Sequence, residues 1–287
     1  MTLAQHFEEL IRRASTQLPP DVERRLRQAA DAEGDTPAGT TLRQMLDNAA
    51  QAAHGSTPIC QDTGTLIFYV DYGPDYRQKQ ITQAINEAAA AATAKYLLRP
   101  NAVDPITGKN SGNNVGAGFP YVHFHEMDPP GLRVRLMLKG GGSENVGAQY
   151  RLPDSRLKAG RDLEGIRRCV LDAVFQAQGK GCAPGALGVG IGGDRGSSFI
   201  ESKEQLFRPL DDVNPDKALA ELEQRLYGEL NELGIGPMGF GGKTTVLGVK
   251  IGTRHRVPAS YFVAVTYICW AYRRATMTVK GEEVTYA

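Results

Sequence analysis

Hydrophobic positions recur at helical spacing over the first fifty residues, and the period then changes. "PPDVERRLRQAADAE" opens on prolines suited to a first helical turn, and "TTLRQMLDNAAQAA" follows a Thr cap with Leu, Met and Leu on one face. From Thr65 the pattern becomes strand-like in "TLIFYVDY", followed by the long Ala-rich helix "YRQKQITQAINEAAAAATAKYLL". "YVHFHEM" and "LRVRLMLK" read as two strands joined through the turn residues "DPPG". "DLEGIRRCVLDAVFQAQ" and "PDKALAELEQRLYGELNEL" are amphipathic helices, and "ALGVGI", "TTVLGVKIG" and "ASYFVAVTYI" read as buried strands. These elements predict one continuous α/β (α+β) domain over residues 1–287, with a mixed sheet flanked by helices and a helical part over about 1–55.

Composition narrows the classes. Hydrophobic residues make up 41 % and charged residues 23 %, an ordinary globular balance. The formal charge is +1, from 33 basic and 32 acidic residues, so neither nucleic acid nor an anionic membrane has an electrostatic footprint here. An anionic ligand must therefore be met by a few placed cations. "MTLAQHFEELIRRASTQL" carries Glu8 and Glu9 and no apolar core, unlike a secretory or transit segment, and "VPASYFVAVTYICWAY" is too short and too polar to span a bilayer. The expectation is a cytoplasmic protein, with no membrane and no nucleic-acid partner.

The 33 glycines cluster in "GKNSGNNVGAG", "KGGGSENVG", "GKGCAPGALGVGIGG" and "LGIGPMGFGGKTT". Such clusters suit either ordinary turns or several loops converging on a ligand. Two familiar motifs fail on context. "GVGIGG" satisfies G-x-G-x-x-G, but the Asp-Arg-Gly-Ser-Ser that follows reads as a loop before any helix, whereas a dinucleotide fingerprint must open one. "GFGGKTT" ends like a P-loop, yet the first glycine of that motif falls on Pro237 and the segment leads into a strand. His123 and His125 share one face of a strand without a third ligand at a telling spacing, and His6 and His54 carry no signal.

Four cysteines remain, with no C-x-x-C pair among them. Cys169 shares a helical face with Ile166 and Val170 and reads as a small core hydrophobe. Cys60 precedes "QDTG", Cys182 lies in "GKGCAPG", and Cys269 ends a strand in "YICWAYRR". Loop thiolates brought together by a fold are what an iron–sulfur cluster needs, although spacing alone leaves chance placement open.

"PICQDTG", "NAVDPITGKNSGNNVG", "KGGGSEN", "CAPGALGVGIGG", "LGIGPMGFGGKTT" and "PASYFVAVTYICWAYRR" together resemble the α region of the iron–sulfur hydro-lyases, from about Arg43 to about Met277. That family comprises class I fumarate hydratases and L(+)-tartrate dehydratases. The resemblance implies a [4Fe–4S] cluster held by Cys60, Cys182 and Cys269, with Cys169 outside the ligand set. Three ligands leave one iron open as a Lewis acid, which suits the release of a poor hydroxyl leaving group and implies oxygen sensitivity.

The resemblance further implies that Asp62 is an acid/base carboxylate that protonates the departing hydroxyl; the competing reading is a residue that only braces its turn. It implies substrate contacts from Gln61 and from Arg99, whose fork suits a carboxylate, although an arginine near a helix C-terminus is also an ordinary solvated charge. The amides of Gly141 and Gly142 are expected to meet a second carboxylate or oxyanion, and Lys243 another anion. His255 lies where the family has a histidine, but "HRVPAS" differs in spacing, so it is read as either substrate-orienting or a surface group.

In this family a second, C-terminal region completes the site, fused or as a separate subunit, and the sequence stops at "GEEVTYA" soon after Cys269. The expectation is an α subunit that acts with a β subunit, as α₂β₂, on a small dicarboxylate: fumarate to (S)-malate in the tricarboxylic acid cycle, or else L(+)-tartrate to oxaloacetate. From other classes, a dinucleotide module built on "GVGIGG" predicts NAD binding without iron, and a non-catalytic scaffold predicts a colourless protein.

Overall fold

The computed structural model describes residues Met1–Ala287. Helices α1 (Leu3–Thr16), α2 (Pro20–Glu33) and α3 (Pro37–Gly55) precede strand β1 (Thr65–Tyr72) and helix α4 (Gln78–Ala94). Strands β2 (Tyr121–Glu126) and β3 (Leu132–Lys139), the one-turn helix α5 (Gly141–Asn145), β4 (Ala148–Arg151) and α6 (Leu163–Ala177) follow. Then come β5 (Gly185–Gly192), α7 (Arg195–Gln205), α8 (Lys217–Glu232), β6 (Val246–Arg254), β7 (Phe262–Ile268), β8 (Arg274–Lys280) and β9 (Glu283–Tyr286).

Two compact units result, each with its own sheet and core. The first takes Met1–Pro19, Asp47–Gly141 and Arg273–Ala287; the second takes Pro20–Leu46 and Gly142–Tyr272. The single sheet expected from the strand pattern is thus two mixed sheets. A mixed α+β architecture flanked by helices is as expected.

In the first unit the strand order is β2-β1-β3-β8-β9. β2 and β3 do not form a hairpin across "DPPG": β1 lies between them, parallel to β2 and antiparallel to β3. Burial explains the order. β1 is an almost wholly buried apolar run suited to a central position, whereas β2 is half-exposed and takes the edge. Helices α1 and α4 cover the sheet with Phe7, Leu10, Ile81 and Ile85, and Phe7 meets Phe68 edge-on with centroids 6.0 Å apart. A reciprocal pair of hydrogen bonds between Thr2 and Gln5 caps α1.

The second unit has the order β4-β7-β5-β6, with β5 parallel to β6 and antiparallel to β7. Strand alternation divides β5 into two faces. Leu187, Val189 and Ile191 join the core formed with α6 and α8, while Gly188 and Gly190 face α7. A Cβ on Gly188 would lie 1.8 Å from the Ser202 carbonyl oxygen, and one on Gly190 2.0 Å from that of Ser198. These glycines let α7 approach the strand at backbone distance. The segment read as a loop after "GVGIGG" is therefore a helix: Asp194 caps it by accepting from the Ser197 amide, and Ser197 returns a bond to the Asp194 amide. The sequence pattern hid it because Arg-Gly-Ser-Ser is a weak helix former without its cap.

Candidate active site

The "CQDTG" turn enters β1 in the first unit and is held from several sides. Just before it, the Ile59 amide donates to the Ser15 carbonyl at 3.0 Å, and Asn48 Nδ2 donates to the Ile59 carbonyl at 2.8 Å. Gly64 has φ +82°, and a Cβ there would sit 2.9 Å from the carbonyl carbons of Leu138 and Lys139, so only glycine fits against β3. Cys60 and Asp62 are half-buried on this turn, while Gln61 is exposed.

Both oxygens of Asp62 accept backbone hydrogen bonds. Gly64 donates to Oδ1 at 3.1 Å, an Asx-type brace, and Gly141 donates to Oδ2 at 2.8 Å. The brace foreseen as the competing role of Asp62 is thus present, and the carboxylate also reaches the glycine loop after β3. The Gly141 amide, expected to face a ligand, is engaged by Asp62. Gly142 is exposed at the start of α5, in the second unit. Arg273 donates from Nη1 to the Asp62 carbonyl oxygen at 2.6 Å.

Arg99 stands beside this turn: its amide donates to Thr63 Oγ1 at 3.0 Å and its exposed guanidinium leans on the Gln61 carbonyl at 3.4 Å. Asn101 donates from Nδ2 to Thr63 Oγ1 and the Gly64 carbonyl, and Asn114, fully buried, donates to Thr93 Oγ1 and the Arg99 carbonyl at 2.8 Å each. Thr63 was expected to help shape this turn, whereas Asn101, Asn114 and Arg273 carried no expected role, although "NAVDPITGKNSGNNVG" and "WAYRR" were among the motifs. A depression of about 830 Å³ opens nearby, lined by Thr65, Asn101, Asp104 and Lys109 but by none of Cys60, Asp62 and Arg99. The chemistry of the turn, rather than that cavity, marks the site.

The segments that carry Cys182 and Cys269 meet in the second unit. Cys182 follows the short turn Gln178–Gly181 in a left-handed conformation, φ 56°, and its carbonyl accepts from the Trp270 amide at 3.2 Å. The loop Gly236–Gly241 packs on that turn: the Met238 amide donates to the Ala183 carbonyl at 2.9 Å, and a Cβ on Gly179 would lie 2.5 Å from the Met238 carbonyl oxygen. Two glycine-rich loops therefore converge beside the two thiols. Within neither unit do three His, Cys, Asp or Glu side chains stand together at metal-binding spacing; Cys182 and Cys269 belong to the second unit and Cys60 to the first.

As donors the three thiols suit a soft, iron–sulfur group: all are half-buried rather than sealed, and none is in a disulfide. Cys169 differs. It is fully buried in α6, and burial, with Asp154 and Asp172 adding, pushes its thiol up to about 12. It is a core residue, as its helical face predicts. Near the pair, burial, followed by the charge of Cys269, raises the Tyr267 phenol well above its ordinary range; the Gly185 amide opposes this without reaching hydrogen-bond geometry, and Cys182 adds to it.

The remaining sequence candidates occupy other places. Lys243 donates from Nζ to the Ala32 carbonyl at 3.0 Å, while Glu33 accepts from the Lys243 and Thr244 amides, so the "GGKTT" loop is clamped to the end of α2. His255 is exposed between Arg254 and Arg256, on the rim of an open depression that also includes Tyr261. On the edge strand β2, His123 stacks on Tyr69 with ring centroids 4.6 Å apart and exposed His125 lies 3.7 Å from Asp71.

A profile of the fumarate hydratase (fumerase) family matches residues 4–278, and the chain belongs to that family. It is 49 % identical over 276 residues to a Geobacillus stearothermophilus protein provisionally named class I fumarate hydratase, a match covering 95 % of this chain and 54 % of that one. The chain thus spans about half the length of that relative. It is 35 % identical over 285 residues to a Methanocaldococcus jannaschii protein provisionally named L(+)-tartrate dehydratase subunit alpha, covering 98 % of each. With the L(+)-tartrate dehydratase subunit alpha of Escherichia coli K12 it shares 34 % over 270 residues, 93 % of this chain and 88 % of that one. No helix is long and apolar enough to cross a membrane.

Proposed function

We propose that this chain is the α subunit of a cytoplasmic iron–sulfur hydro-lyase that interconverts fumarate and (S)-malate with a β subunit, as α₂β₂. The observation that carries the choice of substrate is the 49 % identity over 95 % of the chain to a relative named for fumarate hydratase, against 34–35 % to those named for tartrate dehydratase. The partner is supported by two relatives of similar extent that are named as alpha subunits, and by a third of nearly twice the length.

Cys60, Cys182 and Cys269 would hold the [4Fe–4S] cluster. When bound, it supplies an open iron as a Lewis acid toward substrate oxygen. The chain's own residues protonate the leaving group and hold one end of the substrate. In the dehydration direction malate loses hydroxide from one carbon and a proton from the next; Asp62 delivers the proton that makes the leaving group water. The Gly64 and Gly141 amides fix both carboxylate oxygens of Asp62, and Arg273 fixes its carbonyl, so the group is held on a turn that cannot swing. Exposed Arg99, anchored by its backbone to Thr63, presents a guanidinium to one substrate carboxylate, and Gln61 orients the same end. The proton on carbon is taken by the β subunit.

L(+)-tartrate dehydration is the second reading, favoured by the match over 98 % of both chains to the Methanocaldococcus protein. Anaerobic purification with the β partner, followed by kcat/KM for fumarate, malate and L(+)-tartrate, decides between them. Higher kcat/KM for fumarate is expected; preference for tartrate would establish the second reading, and no turnover of either would overturn both.

A further inference from the structure

Tyr267 lies on β7, opposite Leu187 of β5 and two residues before Cys269. Its ring rests on the backbone of the two glycines that bracket Cys182: a Cβ on Gly185 would come 2.3 Å from Cε1 of the ring, and one on Gly181 2.7 Å. Glycine at both positions is therefore what admits a phenol beside the thiol turn. The residue is 2 % exposed, and its hydroxyl has no hydrogen-bond partner.

The neighbouring buried hydroxyls are paired, and Tyr267 is the one hydroxyl among the buried groups without a partner, the others being arginine nitrogens. Thr266 shares a 2.6 Å hydrogen bond with Ser202, and the Tyr272 hydroxyl donates to the Leu206 carbonyl. A buried donor left without an acceptor is destabilising, and phenylalanine would fill the same space without that penalty. The tyrosine makes sense if an acceptor arrives after folding. Thiolate and sulfide sulfurs are such acceptors, and hydrogen bonds to them draw off negative charge and raise a cluster's reduction potential.

We propose that Tyr267 donates its phenolic hydrogen bond to a sulfur on the Cys182–Cys269 side of the cluster, holding that side of the cofactor and setting its potential. The role is one of positioning and tuning, and it rests on the cluster reading given above. It makes opposite predictions for the two states of the protein. Without the cluster the hydroxyl is a burden; with the cluster it is a contact.

The test is Tyr267→Phe in the full chain, measured cluster-free and after anaerobic reconstitution with iron and sulfide, with the β partner present. The cluster-free variant should melt at a higher temperature than cluster-free wild type. The loaded variant should show a more negative midpoint potential and faster loss of iron to a chelator. An unchanged potential and chelation rate in a fully loaded variant would overturn the proposal, as would a lower melting temperature of the cluster-free variant, which would mean that the hydroxyl already has a protein partner. If neither wild type nor variant takes up iron and sulfide, the cluster reading fails and the proposal fails with it, an outcome distinct from a loaded pair with equal potentials.

Discussion

Arg273 holds Asp62 by its backbone: Nη1 donates to the Asp62 carbonyl at 2.6 Å from a guanidinium only 1 % exposed. The two residues are 211 positions apart in sequence. That bond ties the residue just before β8 to the segment that carries Cys60, while the buried Nε of the same guanidinium has no hydrogen-bond partner. The proposed proton donor is thus a fixed group rather than a mobile surface carboxylate.

Asp62→Asn separates the two roles of that side chain. Asparagine retains an oxygen to accept from Gly64, so the Asx-type brace survives, although the bond from Gly141 is lost, and its amide cannot serve as a general acid. Under the acid/base assignment kcat for malate dehydration falls by about 10²–10⁴ with an unchanged circular dichroism spectrum. Retention of most activity would reduce Asp62 to a brace.

The cysteines should separate by accessibility. In the cluster-free native protein, iodoacetamide at pH 8 should label Cys60, Cys182 and Cys269 and spare Cys169, whose burial holds its thiol up at about 12. Peptide mass spectrometry reads this directly. Substituting Ser for any of the first three should abolish stoichiometric iron, whereas Cys169→Ala should retain it.

Gly188→Ala tests the purpose of "GVGIGG". Its methyl group would collide with the Ser202 carbonyl, so the variant should lose about 1–3 kcal/mol in urea unfolding. Neither wild type nor variant should bind NAD. A neutral substitution would show that α7 does not sit as closely on β5 as described.

Acid stability should depend on Asp212. Burial opposes its ionisation, but the bonds from Arg208 and Lys250 more than offset this and hold the carboxyl below its ordinary range. The folded pKa is thus below the unfolded value of about 3.9. The contribution is complete above that value and disappears as pH falls through the lower folded pKa. Urea midpoints of wild type should accordingly decline below about pH 4, and those of Asp212→Asn should decline less steeply.

Local chemistry was legible in the sequence. The limits of β1 and β3 and the bodies of α2, α6 and α8 follow from side-chain period, because the face a residue presents depends on its immediate neighbours. The three junctional cysteines and the Asp of "CQDTG" were visible as candidates, but their expected roles came from the family resemblance and not from spacing. What the sequence did not show depends on distant pairings. β1 separates β2 from β3, and one expected sheet became two, because strand order is chosen by which apolar faces can be buried together. Helix α7 depended on a cap that offsets poor propensity, and Gly188 had meaning only once α7 lay across it. Arg273, Gly141 and Asn114 acquired roles, and Lys243 was drawn to the end of α2, through hydrogen bonds between residues far apart in the chain, which no local pattern records.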